Sequence, residues 1–154
     1  MLNVVAQDLD IASLIPHQNG MCLLDGVLSW DADCIRCCSA SHRDPSNPLR
    51  TADGLLAVCG IEYAAQAVAV HGGLKAKHAA AGGVARAPSV GYLANAKDVR
   101  WHVARLDDIA GDLIVDAQQL ISEGGRSIYS FALTADGQAV MEGRVAVVLE
   151  GFES

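Results

Sequence analysis

Gly54-Leu-Leu-Ala-Val-Cys-Gly-Ile-Glu-Tyr-Ala-Ala-Gln-Ala-Val-Ala-Val-His-Gly-Gly-Leu74 is the stretch around which the rest of the chain has to be organised. From Leu55 to Val70 nearly every residue is apolar or small, the pattern of a helix covered on most sides. Asp53 and Gly54 offer a start, and Gly72-Gly73 a stop that tolerates positive φ, so a helix over about 54–73 is predicted. Two polar residues interrupt the run, Glu62 and Gln66, four apart and therefore on one face. A buried carboxylate is costly unless it is paired, hydrogen-bonded or protonated, which makes Glu62 a candidate for chemistry. The alternative is a helix-face residue that reaches solvent or a structural partner.

On the N-terminal side, residues 3–13 read as a short lead-in, and Pro16 and Gly20 break the chain before Met21–Trp30 resumes as a strand. Asp31-Ala-Asp33 offers a turn into a second strand that carries Cys34, Cys37 and Cys38. The segment 41–53, with two prolines and several turn residues, is a loop feeding the helix. After the helix, Lys75 to Pro88 is low in complexity and reads as a mobile connection. Four longer strands follow at 90–101, 112–122, 126–134 and 138–149. Glu123-Gly-Gly125 and Ala135-Asp-Gly137 are hairpin turns between the last three. The expected architecture is α+β: an antiparallel sheet, its meander over about 90–150, bent around one long helix. Such a sheet keeps an open edge that a second copy commonly closes, so a dimer is expected.

At 154 residues the chain fits one domain over 1–154. A formal charge of −7 argues against nucleic acid as the main partner. Neither a membrane span nor a secretion signal is visible, and a cytoplasmic location is expected. Cys34-Ile-Arg-Cys37 is a CxxC, but a zinc site would need a second ligand pair, and His42 is the nearest extra ligand. The cysteines read as packing residues, and no metal or cofactor is called for.

Three pieces in order resemble one family. Leu14-Ile-Pro-His-Gln-Asn-Gly-Met-Cys-Leu-Leu-Asp25 is similar to the "PH…M-LLD" opening of the bacterial 3-hydroxyacyl-acyl-carrier-protein dehydratases. Gly60-Ile-Glu-Tyr-Ala-Ala-Gln66 resembles their hot-dog helix, and Val90-Gly-Tyr-Leu93 with Gly111-Asp-Leu113 their second half. The chain is most similar to the dehydratase-like branch associated with aryl polyene biosynthesis, through Ser41-His42, Asn47-Pro48-Leu49 and Ala69-Val-His71. The resemblance implies a hot-dog fold over the whole chain. It also implies dehydration of 3-hydroxyacyl thioesters on acyl carrier protein, or on CoA, to 2-enoyl products.

One departure bears on the mechanism. The family's loop histidine, in a "GHFPG" segment, has no counterpart; its spacing from Glu62 falls on Pro48. His17 and His42 remain as candidates for the base, with His17 favoured because a histidine after a proline in a tight turn is well held. Glu62 would be the acid, since burial favours its neutral form. Backbone N–H groups from Gly54 to Ala57 would polarise the thioester carbonyl, and Gln66 would orient the carboxyl or a water. Tyr63 faces elsewhere and reads as packing. Basic residues such as Arg43, Arg50, Lys75 and Arg100 would meet an acidic carrier or serve as solvated surface. A hot-dog thioesterase, in which the carboxylate activates water, and a non-catalytic subunit of a dehydratase heterodimer are the alternatives. The dimer would be homomeric, or heteromeric with a related hot-dog subunit.

Overall fold

The structure, a computed structural model, describes residues 3–4, 22–81 and 90–150. Among the described residues seven strands form a single antiparallel sheet: β1 (Asn3–Val4), β2 (Gly26–Trp30), β3 (Cys34–Ser39), β4 (Val90–Trp101), β5 (Leu113–Glu123), β6 (Arg126–Ala135) and β7 (Gln138–Glu150). Their order across the sheet is β1-β2-β3-β5-β6-β7-β4. The helix α1 (Gly60–Ala81) lies across the inner face, mainly on β3, β5 and β6.

The strands form where alternation and turn chemistry place them. In β5, Leu113, Val115 and Ala117 point inward, and in β6 Tyr129, Phe131, Leu133 and Ala135 do the same. Opposite them α1 buries Ala64, Ala67, Val68, Val70 and Leu74. Each fully buried Val, Leu or Phe side chain contributes about 1.5–3 kcal/mol and each alanine less, so this layer is a main source of stability. Asp136 and Gly137 take φ of 51° and 76°, and Gly124 and Gly125 take 60° and 78°, as two-residue hairpin turns require. Asp31 accepts the N–H groups of Asp33 and Cys34 at 2.8 and 2.7 Å, which closes the β2–β3 turn. The CxxC lies within β3, with Cys37 buried; burial pushes its thiol up to about 12.

Three features depart from the sequence reading. The helix runs over 60–81 rather than 54–73. Leu55 and Ala57 are held by another segment, with Leu106 N–H donating to the Leu55 carbonyl at 2.7 Å and Ala57 N–H to that of Ala104 at 3.0 Å. At the other end Gly72-Gly73 do not stop α1, because Leu74 is buried and an alanine-rich turn continues the helix. The second departure concerns 75–88: Lys75–Ala81 is helical, and 82–89 lie outside the described residues. The third is β4, which does not pair with β5 but crosses to the far edge and pairs with β7.

Candidate active site

The start of α1 is set by close packing. A Cβ on Gly60 would lie 2.9 Å from Met141 Sδ on β7, so glycine lets the first turn press against the sheet. Two residues on, Glu62 is half-buried, on a helix side where Val58 is 52% exposed and Ala65 and Ala69 are half-buried. Gln66 is fully buried. Its Nε2 donates to Glu62 Oε1 at 3.3 Å, and its Oε1 accepts Leu23 N–H at 2.8 Å. The amide thus spans from the carboxyl to the segment that follows the Pro16-His17 opening.

The other helix-start polar group is Tyr63, read from sequence as packing. Its ring is buried, but its hydroxyl joins Ser41 Oγ at 2.7 Å and Asn47 Nδ2 at 3.1 Å. A tyrosine in an otherwise apolar buried run signals that its polar tip has a partner nearby.

Of the histidines, His17 lies outside the described residues. His42 sits in a single 3₁₀ turn, Ser41–Arg43, and is wholly buried. Its Nε2 donates to the Ile109 carbonyl at 3.1 Å, while Nδ1 has no hydrogen-bond partner. Burial holds its pKa below the ordinary histidine value, partly countered by the Ile109 carbonyl. Beside it Arg43 bonds the Ala110 carbonyl and reaches Asp112 at 2.7 Å. Together the two side chains clamp the 102–112 connection. His71 is buried further along α1, between Tyr129 and the Asp31 carbonyl. His102, on the chain after β4, pairs with Glu142 at 2.9 Å.

The approach to the helix is built differently from the sequence reading. Gly54 N–H donates to Thr51 O at 2.9 Å, Leu55 N–H to Asp107 Oδ1 at 2.9 Å, and Ala57 N–H to Ala104 O at 3.0 Å. These donors are occupied, and the Leu55 side chain is fully buried. Gly54 and Leu55 therefore shape the entry to α1, with their amides bonded within the chain. Gly54 has φ +89°, and a Cβ there would fall 2.6 Å from the Arg105 guanidinium. Arg105 pairs with Asp107 at 2.5 Å and Arg50 with the same carboxylate at 3.4 Å. The Arg105 hydrogen bond and the Leu55 N–H hold the Asp107 carboxyl well below the usual range. Arg43, Arg50 and Arg105 are thus each matched by an acid. Among the described residues no cluster of three or more His, Cys, Asp or Glu is placed to hold a metal, and no helix is long and apolar enough to cross a membrane.

Comparison with known proteins adds to this geometry. The model of a family described as ApeP-like, ApeP dehydratase, matches residues 9–151. No curated protein sequence matches the chain. Among solved structures, the dehydratase heterocomplex ApeI:P from Xenorhabdus doucetiae is similar over 93% of this chain and 92% of that one. Its TM-score is 0.82 at 23% identity. An uncharacterised protein, PH1136 from Pyrococcus horikoshii, matches with TM-score 0.57 and 13% identity over 98% and 97% of the two chains. Cj0977, a sigma28-regulated virulence protein from Campylobacter jejuni, matches with TM-score 0.52 and 13% identity over 94% and 98%. At these identities the structural likeness establishes the fold, which is the hot-dog arrangement of an antiparallel sheet around one long helix.

Proposed function

The chain belongs to the ApeP-like dehydratase family, and from that premise we propose that it takes part in dehydrating 3-hydroxyacyl thioesters carried on acyl carrier protein. A base removes the proton at C2, the electron pair forms the C2–C3 double bond, and an acid protonates the departing C3 hydroxyl. The products are a 2-enoyl thioester and water. Glu62, in its acid form, is the proton donor. His17 is the base in preference to His42, whose ring is sealed and committed to the Ile109 carbonyl. Gln66 orients the carboxyl.

The observation that carries this reading is the pair of hydrogen bonds made by the Gln66 amide, donating to Glu62 on one side and accepting from Leu23 N–H on the other. Leu23 lies six residues after His17, a span of at most about 20 Å in an extended chain. The amide that bonds the acid therefore also holds Leu23, the segment that follows the Pro-His opening in sequence. The helix side that bears Glu62 is only half covered in this chain, with Leu56 and Val58 exposed beside it. A second hot-dog subunit over this side would exclude water from the acid and complete the site. That the Xenorhabdus doucetiae protein is described as a heterocomplex supports a related subunit over a second copy as the partner.

The test is to incubate the chain, alone and mixed with a related hot-dog dehydratase subunit, with a 3-hydroxyacyl carrier protein. The 2-enoyl product is expected, with a loss of about 100-fold or more in Glu62→Gln. Free acid in place of enoyl product would mean hydrolysis. A mixture that stays fully active with Glu62→Gln would reduce this chain to a supporting subunit. His17→Ala is expected to abolish turnover at unchanged assembly.

A further inference from the structure

We propose that Tyr63, next to Glu62 in α1 and about 100° around the helix from it, is a positioning residue for the Glu62 carboxyl, acting through a ring of hydrogen bonds. The inference rests on Glu62 being the working acid, as proposed above.

Asn47 Nδ2 donates to the Tyr63 oxygen at 3.1 Å. That direction leaves the phenol hydrogen for Ser41 Oγ, 2.7 Å away. Ser41 in turn donates to the Leu23 carbonyl at 2.7 Å, and Ser39 donates to the same carbonyl at 2.5 Å. On its amide side Leu23 donates to Gln66 Oε1, and Gln66 Nε2 reaches Glu62 Oε1. The circuit leaves the helix at residue 63 and returns at residue 62, so its two ends are joined by the helix backbone itself.

Most of the links are buried: Tyr63, Gln66 and Leu23 are at most 1% exposed and Asn47 is 6% exposed, while Ser41 is half-buried. A buried donor or acceptor that loses its partner costs about 1–3 kcal/mol, so the links hold one another in place. Leu23 is gripped at both its carbonyl and its amide. Loss of the Tyr63 hydroxyl frees Ser41 to turn away from the Leu23 carbonyl and leaves Asn47 one acceptor short. The Leu23 segment can then shift, and Gln66 moves with it. A displacement of about 1 Å at a catalytic group costs up to roughly 100-fold in rate.

Tyr63→Phe keeps the ring and removes only the oxygen. In the isolated chain, the expected result by NMR is a change in the Leu23 backbone amide and the Gln66 side-chain amide signals. Their hydrogen-exchange protection should fall at least about tenfold, although within the ring neither residue bonds the Tyr63 hydroxyl directly. Signals that change only at Ser41 and Asn47 would overturn the proposal. Ser41→Ala is expected to give the same pattern, and serves if the Tyr63 variant folds poorly. In the active assembly, kcat should fall about 10- to 100-fold at a KM within about twofold, whereas an unchanged kcat would also overturn it. The arms are separable. If the wild-type assembly shows no dehydration while the amide signals respond as expected, it is the proposed reaction that fails and the ring that stands.

Discussion

His71 is the residue whose surroundings bear most directly on pH. Its Nε2 donates to the Asp31 carbonyl at 2.7 Å, so Nδ1 is bare and accepts the Tyr129 hydroxyl at 2.6 Å. The Tyr129 bond needs the neutral ring, and burial, the largest influence, holds its pKa below the ordinary value, partly countered by the Asp31 carbonyl. Protonation therefore favours the unfolded chain. The stabilisation is fully present above the unfolded histidine value of about 6.5 and is lost as pH falls from there through the lowered folded value. The urea midpoint is expected to drop between about pH 7.5 and about pH 5.5, and His71→Gln to show a shallower drop. His42, lowered in the same direction, leaves a residual fall in the variant. Equal slopes for the two proteins would exclude His71 as the source. At this scale the sequence was readable as residue types and no further: Glu62 and Gln66 stood out as polar side chains in an apolar run. That Tyr63 has a bonded hydroxyl, or that His42 faces the Ile109 carbonyl, depends on segments brought together across the fold.

The helix and its approach respond in opposite senses to two glycines. Gly72 lies in α1, is exposed, and has nothing within 4 Å of where a Cβ would stand. Gly72→Ala should stabilise the isolated chain by about 0.5–1 kcal/mol, read from its denaturant midpoint. Gly54 has φ +89° and a Cβ site overlapping the Arg105–Asp107 pair. Gly54→Ala should destabilise by about 1–3 kcal/mol, because backbone strain adds to the displaced ion pair. A neutral result there would mean that the entry to α1 is not held as described. Both glycines are visible in the sequence, but its pattern misplaces their roles, starting the helix at Gly54 and ending it at Gly72-Gly73. Pattern alone cannot tell a helical amide from one captured by a neighbouring loop, since both occur in apolar stretches.

For the molecule as a whole, the half-covered side of α1 and the outer edge of β4, last in the sheet among the described residues, are where a second subunit is expected. Val58, 52% exposed and one turn before Glu62, is the place to test this. Val58→Asp should block assembly with a related hot-dog subunit, measured by light scattering or native mass spectrometry. It should change the stability of the isolated chain by no more than about 0.5 kcal/mol, the usual scale for exposed sites. Assembly that survives the substitution would place the interface elsewhere. The α+β class, the strands from β2 to β7, their hairpin turns and the single long helix followed from the amino-acid sequence. Alternation, turn residues and an apolar run are local signals, legible wherever neighbours in the chain are also neighbours in space. The place of β4 beside β7, the true ends of α1 and the ring through Leu23 were decided only by tertiary structure. Each depends on which distant segment supplies the hydrogen-bond partner, and residue order does not encode that choice locally.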